Sequence, residues 1–405
     1  MYDKTEETPV VVQYEDNRGD HDEELVEIDH FAFRPSTANF LGEGAFGYVY
    51  RGYDMSKKID RQVAIKTVLS EKLKRQEMEL LSKIRSEHLV KILSICTRGE
   101  ITYVVMELCD GDLAGYLSKY SKLDSKNATL LADNLARGYN ILQAYKIVHR
   151  DIKPQNILIK YRRTNNDRQS IKIASEHQFE DCDRRDIAVA KLSDFGTSHL
   201  LTADDDELCN VAGTLFYMAP EVGANLVTTN SYDHSADMWS IGCVLYESIS
   251  GTIPFDENSL CRLFLHVACK NYQTFAVKTP WSTAATVNGS YPSDDTHQFD
   301  YVANCLLKID PKQRMTPQQF YNRAVDDMSK RSLKANVRHR FSVFGKDQNA
   351  HSKSFTYFNK DQQQKYEMMV DEQEQKVYKS VNYTEEYPKM RALSENRTSN
   401  RYETS

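Results

Sequence analysis

Glycine and proline are scarce in this chain, with 16 and 10 among 405 residues; together they make about 6%, half the ordinary ~12%. That excludes collagen-like and low-complexity classes. Basic charge is not in excess either. Lys and Arg number 52 against 58 Asp and Glu, for a net charge of −6, which gives no support for nucleic-acid binding. No Cys-x-x-Cys pair occurs among Cys96, Cys109, Cys182, Cys209, Cys243, Cys261, Cys269 and Cys305. Neither a zinc site nor a disulfide framework is indicated, and most of these cysteines sit in apolar runs, as buried, reduced thiols of the cytoplasm or nucleus do. The longest apolar run, near Met238–Leu245, is far too short to span a bilayer, so no membrane partner is expected. The opening MYDKTEETPV is acidic and lacks the apolar core of a signal peptide. What is present is 40% hydrophobic residues, enough for a sizeable core, over a length that suits two or three domains or lobes.

Residues 1–36 are polar and acidic without sustained periodicity and read as a disordered tail. From Phe40 the pattern changes. Phe40–Tyr50, Arg61–Val68 and Ile101–Glu107 are rich in β-branched and aromatic residues, and Glu71–Arg85 has helical spacing. This predicts a small antiparallel sheet with one helix over 37–109. Residues 110–330 read as mostly helical, with helices at Leu113–Tyr120 and Thr129–Tyr145 and a buried one at Asp237–Ile249. Two short strands, Asn156–Lys160 and Ala190–Leu192, flank a polar insertion at about 161–188. Residues 331–405 turn polar and read as a flexible extension, with one helix near Asp361–Val377. No internal repeats are found.

Five segments carry chemistry. Gly42-Glu43-Gly44-Ala45-Phe46-Gly47 is a G-x-G-x-x-G run. Such glycines let backbone amides approach a polyphosphate, but the same pattern suits a bulged hairpin or a Rossmann turn. A Rossmann turn must lead into a helix, and Tyr48-Val49-Tyr50 continues as a strand instead. Val63-Ala64-Ile65-Lys66 ends an apolar strand on a lysine, which ordinarily just reaches solvent. His149-Arg150-Asp151-Ile152-Lys153-Pro154-Gln155-Asn156 packs polar and charged residues between two apolar runs, unlike an ordinary turn. Asp194-Phe195-Gly196 and Met218-Ala219-Pro220-Glu221 follow.

In this order and at these spacings, the five segments resemble the eukaryotic protein kinase family, over about residues 37–330. The resemblance implies an α+β, bilobal fold: a small antiparallel-sheet lobe with one helix, and a larger helical lobe. It implies ATP and Mg²⁺ as cofactors and transfer of the γ-phosphate to a protein hydroxyl. Gly42–Gly47 would cover the phosphates. Lys66 would contact the α- and β-phosphates, held by Glu77; Glu79 is the rival, about 200° round the helix. Asp151 would be the catalytic base, and Lys153 would neutralise charge on the γ-phosphate. Asn156 and Asp194 would hold Mg²⁺, a hard cation suited to oxygen donors. Leu41, Val49, Ala64 and Leu158 would wall the adenine. Met106 would be the gatekeeper, Glu107-Leu108-Cys109 the hinge, and Asp112 would lie near the ribose. Glu221 should pair with Arg314. Leu81, Ile92, His149 and Phe195 should stack between the lobes.

Lys153 and Gly213-Thr214 resemble the Ser/Thr-specific branch, which implies protein substrates with Ser or Thr acceptors in intracellular signalling. The segments Ile147–Leu158 and Tyr217–Val222 are somewhat similar to Atg1-like kinases. The alternative reading is a pseudokinase, an ATP-binding scaffold; its usual mark is loss of the residues at Lys66, Asp151 or Asp194, all of which are present. A small-molecule kinase is opposed by Ala219-Pro220-Glu221. One departure stands out. Family members usually carry a phosphate acceptor four or five residues before Thr214, facing the residue at Arg150; here those positions are Asn210 and Cys209. The acidic run Asp204-Asp205-Asp206-Glu207, or Thr202, would have to serve instead.

Overall fold

The computed structural model of this chain describes residues 25–44, 47–56, 61–73, 75–162, 186–201, 208, 213–228, 231–269, 299 and 301–344. The chain divides into two units, 1–321 and 322–405.

The first unit opens with strands β1 (Val26–Ile28), β2 (Phe31–Phe33), β3 (Phe40–Gly44), β4 (Gly47–Asp54) and β5 (Arg61–Leu69). Helix α1 (Arg75–Lys83) follows, then β6 (Ile92–Arg98) and β7 (Ile101–Glu107). They form one antiparallel sheet in the order β1-β2-β4-β5-β7-β6, with β3 also paired to β4. Side chains alternate between the two faces of a strand. Val63 and Ile65 of β5 therefore pack into a core cluster with Ile28, Phe31, Phe33 and Val105, while Ala64 and Lys66 project from the opposite face.

That cluster corrects the expectation of a disordered tail reaching to residue 36. Val26–Phe33 is a hairpin built into the sheet, with β2 registered as Phe31↔Asp54, Ala32↔Tyr53 and Phe33↔Gly52. The three-residue strands are too short to show a period. The apolar surface they bury, about 1.5–3 kcal/mol per large side chain, is what orders them.

Beyond the sheet come β8 (Gly111–Asp112), α2 (Leu113–Tyr120), α3 (Ser125–Ala144), β9 (Ile147–Val148), β10 (Ile157–Tyr161), β11 (Ile187–Leu192) and β12 (His199–Leu200). After them lie α4 (Pro220–Gly223), α5 (His234–Ser250), α6 (Glu257–Ala268) and α7 (Pro317–Phe344). The helices start where short polar side chains cap them: Asp112, Asp124, Asp233 and Asp256 each accept a bond from an amide of the first turn. Two small sheets, β11-β10-β8 and β12-β9, carry the loops between them. Helix α5 is buried nearly all round, with Met238, Trp239, Ile241 and Cys243 at 0% exposure, as its largely apolar sequence predicts.

The insertion narrows to the stretch after Arg162 and before Asp186, because β10 and β11 run on to Tyr161 and Ile187. That stretch, residues 163–185, lies outside the described residues. Helix α7 continues to Phe344, so the first part of the expected flexible extension is helical; within the second unit Arg323–Asp327 and Lys330–Asp326 are paired one turn apart. The helix expected near 361–377 lies outside the described residues. Among the described cysteines only Cys243 is fully buried, Cys261 and Cys269 are exposed, and all are free thiols. The burial expected of most of them is thus corrected: Cys261 is exposed on α6 and Cys269 is exposed at its C-terminal cap. Among the described residues no helix is long and apolar enough to cross a membrane.

Candidate active site

The site is built where the large sheet meets the small ones. Direct cross-strand partners share a face, so Val49 and Val104, registered on Lys66, and Met106, registered on Ala64, lie with them on the face away from the Ile28 cluster. Gly47 shapes the turn above. Its φ is +153°, and a Cβ there would overlap the Thr67 carbonyl, so only glycine allows β4 to start this close to β5. On the Cβ side of Gly42 there is open space. A small cavity is lined by Lys66, Met78, Val104, Met106, Asp194 and Phe195.

Lys66 reaches across it. Its Nζ stands 2.6 Å from Asp194 Oδ1, between residues 128 apart in sequence. Burial alone would push the Asp194 carboxyl up, but the Lys66 ammonium and the Gly196 amide hold it below the usual carboxylate range. Both bonds fall on Oδ1, which leaves Oδ2 as the oxygen a cation would take. Asp194 has φ +57°, left-handed for a non-glycine residue, and such backbone strain concentrates at functional sites. Phe195 tucks under it, ring to ring with His149 at 5.3 Å.

The loop after β9 supplies the second cluster. Lys153 Nζ stands 2.8 Å from Asp151 Oδ2 and donates to Thr214 Oγ1 at 2.8 Å, and Thr214 donates to Asp151 Oδ1 at 2.8 Å. Asn156 Nδ2 donates to the Asp151 carbonyl at 2.8 Å and to Oδ2 at 3.1 Å. The amide nitrogen being so engaged, Asn156 turns its Oδ1 elsewhere, an oxygen donor of the kind Mg²⁺ prefers. The loop itself hangs from α5: Asp237 accepts from the His149 and Arg150 amides at 2.7 and 2.8 Å and from the Tyr139 hydroxyl at 2.7 Å. His234 Nδ1 lies 2.9 Å from that hydroxyl. Burial pushes the Tyr139 hydroxyl up, reinforced by Asp237, and pushes His234 down, so both are neutral near pH 7.

At the end of β7, Glu107 is pinned on three sides. Its carboxylate meets Lys160 at 2.5 Å and Lys191 at 2.9 Å and accepts from the Lys91 amide at 2.9 Å. Burial would raise this carboxyl, but the two lysines and the amide bring it below its ordinary value. The Glu107 amide donates to the Lys91 carbonyl, so that edge of β7 faces β6. Cys109, two residues on, has its thiol pushed up to about 12 by burial, which keeps it protonated and unreactive.

The structure therefore brings Lys66 and Asp194 into one cluster and Asp151, Lys153 and Asn156 into a second, with the Ser193 amide, next to Asp194, bonded to the Asn156 carbonyl. Leu158 pairs in register with Asp112 across β10 and β8. Leu41 is exposed at 41% beside the glycine run, with Glu43 and Gly44 next in β3. Ala45 and Phe46 lie outside the described residues. Glu77 is half-buried in the first turn of α1 and Glu79 is exposed, the order the helical register implies. Leu81, Ile92, His149 and Phe195 are all buried. Glu221 and Arg314 meet through two parallel bonds of 2.7 and 3.0 Å.

The protein-kinase-domain family model matches residues 36–325. The chain belongs to that family. The kinase domain is 30% identical to the serine/threonine-protein kinase TIO of Arabidopsis thaliana over 283 residues, 68% of this chain and 18% of TIO. It is 28% identical to the serine/threonine-protein kinase ATG1a of the same plant, over 70% of this chain and 40% of ATG1a. To the serine/threonine-protein kinase unc-51 of Caenorhabditis elegans it is 34% identical, over 55% of this chain and 25% of that one. The Atg1-like resemblance expected from the loop segments is thus found, and the chain spans well under half the length of each of these relatives.

Sequence reasoning missed several parts of this kinase domain. Tyr139 and His234 look like ordinary helix residues, and nothing local marks the Tyr139 bond to Asp237 or the His234 bond to Tyr139. Lys160 and Lys191 did carry a signal: a lysine inside an apolar strand needs a counter-charge, and Glu107 provides it.

Proposed function

We propose that this chain is an ATP-dependent protein kinase that transfers the γ-phosphate of ATP to Ser or Thr hydroxyls of protein substrates. The observation that carries the reading is the Asp151–Lys153–Thr214 triangle, with Asn156 on its rim and Asp194 held by Lys66. The donor set suits ATP and Mg²⁺. Asp194 Oδ2 and Asn156 Oδ1 would hold the metal, which supplies charge neutralisation between the phosphates. Lys66, paired with Asp194, would bind the α- and β-phosphates under Gly42–Gly47, with Glu77 as the carboxylate expected to hold it. Leu41, Val49, Ala64, Met106 and Leu158 offer apolar surface to adenine, with backbone groups of Glu107 and Cys109 for its polar edge and Asp112 towards the ribose.

Asp151 then orients the acceptor hydroxyl and takes its proton. Lys153, shared between Asp151 and Thr214, stands where charge builds on the transferred group. Thr214 fixes the floor on which a Ser or Thr acceptor rests; a lysine two residues after the base is what resembles Ser/Thr-specific kinases. Free thiols at Cys96, Cys109 and Cys243 agree with the reducing interior of a cell, and we place the enzyme in cytoplasmic signalling. The kinase domain would be residues 37–330.

The test is transfer of radiolabel from ATP, with Mg²⁺, to a generic protein substrate. Wild type should transfer. Asp151→Asn should lower kcat by about 10²–10⁴-fold, the usual worth of a general base, and Asp194→Asn at least as much. Binding of ATP by wild type without any transfer would refute the reading and leave an ATP-binding scaffold.

A further inference from the structure

The segment between Asp194 and Glu221 forms the floor for the acceptor, and its described residues are tied down at three places. At its start, β12 pairs with β9, and Leu201 donates its amide to the Lys146 carbonyl. At its end, Thr214 bonds Asp151 and Lys153, while Gly213, at φ +108°, lies so close that a Cβ would come within 2.5 Å of the Arg150 carbonyl. The third tie lies between them. Leu208 and Tyr232 exchange both backbone hydrogen bonds, at 2.9 and 2.8 Å, forming an isolated antiparallel bridge. Both residues are almost fully buried, at 6% and 4% exposure.

The place of this bridge matters. Tyr232 directly precedes Asp233, the cap of α5, and α5 carries Asp237, from which the catalytic loop hangs. Leu208 is therefore tied to the same helix start that positions Asp151. From Leu208 to Thr214 the chain has only six steps, a reach of about 20 Å at most, so a fixed Leu208 narrows where Thr214 can sit. The tie uses an apolar side chain and two amides, not charge. Cys209 and Asn210, next in sequence, carry no hydroxyl to phosphorylate. The Arg150 Nε donates to the Thr197 carbonyl at 2.6 Å, so this guanidinium is already engaged with backbone of the segment itself.

We propose that Leu208, bridged to Tyr232, is a positioning residue that holds this segment in its acceptor-binding register without a phosphate on it. The proposal rests on the kinase reading above and adds to it how the acceptor floor is held. An acceptor displaced by ~1 Å costs up to about 100-fold in rate, so loosening the anchor should act on the acceptor and spare the nucleotide.

Two measurements on the full chain decide it. In the first, hydrogen exchange is followed at the Leu208 and Tyr232 amides of phosphatase-treated wild type. Protection near that of α5 is expected; exchange at the rate of an open chain would overturn the anchor, whether or not the protein transfers phosphate. In the second, phosphatase-treated wild type, Leu208→Ala and Leu208→Met are compared in radiolabel transfer to a Ser-containing peptide. Wild type should keep its activity after phosphatase. Leu208→Ala should raise KM for the peptide at least about tenfold with KM for ATP within about twofold, and Leu208→Met should restore it. Loss of wild-type activity on phosphatase treatment, or a Leu208→Ala protein that matches wild type, would sink the proposal. A wild type that transfers nothing even before phosphatase treatment refutes the kinase reading instead, and the exchange measurement still decides the anchor.

Discussion

At the scale of single residues, the site works by giving its polar groups defined partners. Asp151 has its two oxygens divided between Thr214 on one side and Lys153 and Asn156 on the other, so its orientation is set before any substrate arrives. Its loop is set in turn by Asp237, a buried carboxylate that satisfies two backbone amides and the Tyr139 hydroxyl. Removing only that hydroxyl leaves a carboxylate and the His234 ring short of a partner in an apolar surround. Such a loss costs about 1–3 kcal/mol. Tyr139→Phe should therefore lower the melting temperature, and, because Asp237 holds the loop that carries Asp151, it should also lower kcat while leaving KM for ATP nearly unchanged. Equal kcat in the variant, measured by steady-state transfer, would show that the two amides hold Asp237 unaided.

At the scale of elements, the N-terminal hairpin is the feature that most changes the picture of the small lobe. Phe33 of β2 packs at a tilt against Tyr50 of β4, with ring centroids 5.4 Å apart, and meets Tyr103 of β7 edge-on at 6.2 Å. It thereby covers the outer face of the sheet whose inner face presents Lys66. Phe33→Ala in a fully buried position should cost about 3–5 kcal/mol. Read by chemical denaturation, a loss below about 1 kcal/mol would mean that the hairpin is a peripheral attachment; the magnitude distinguishes the two because surface changes usually stay within about 0.5 kcal/mol.

At the scale of the whole first unit, Glu107 joins the large sheet to the small one. Its partners Lys160 and Lys191 lie on β10 and β11, the strands that lead away from the Asn156 loop and into Asp194. Glu107→Gln would leave Lys191, 8% exposed, without its counter-charge, a change that costs about 3–5 kcal/mol in buried pairs. The pH dependence follows from the direction of the shift. A carboxyl held below its ordinary 4.5 stabilises the fold fully above that value and loses its contribution as pH falls through the lower folded value. Wild type should thus melt well above Glu107→Gln at neutral pH, and the gap should shrink on acidification below pH 4.5. A gap independent of pH down to 3 would show that the ion pairs contribute nothing net.

Much of this protein is legible in its sequence alone. The strand at Arg61–Leu69, the helices at Leu113–Tyr120 and about Thr129–Tyr145, and the buried helix at Asp237–Ile249 follow from period and propensity, which are local. Lys66, Asp151, Lys153, Asn156 and Asp194 follow from motif spacing, because chemistry of this kind needs those side chains in short runs. What only the tertiary structure decided joins residues far apart in sequence: Tyr139 with Asp237 across 98 positions, Glu107 with Lys191 across 84, Leu208 with Tyr232, and the hairpin at Val26–Phe33 with the sheet. Such contacts leave no periodic mark, since a pair is chosen by burial and by the need of each enclosed polar group for a partner, and neither is visible until the chain has folded back on itself.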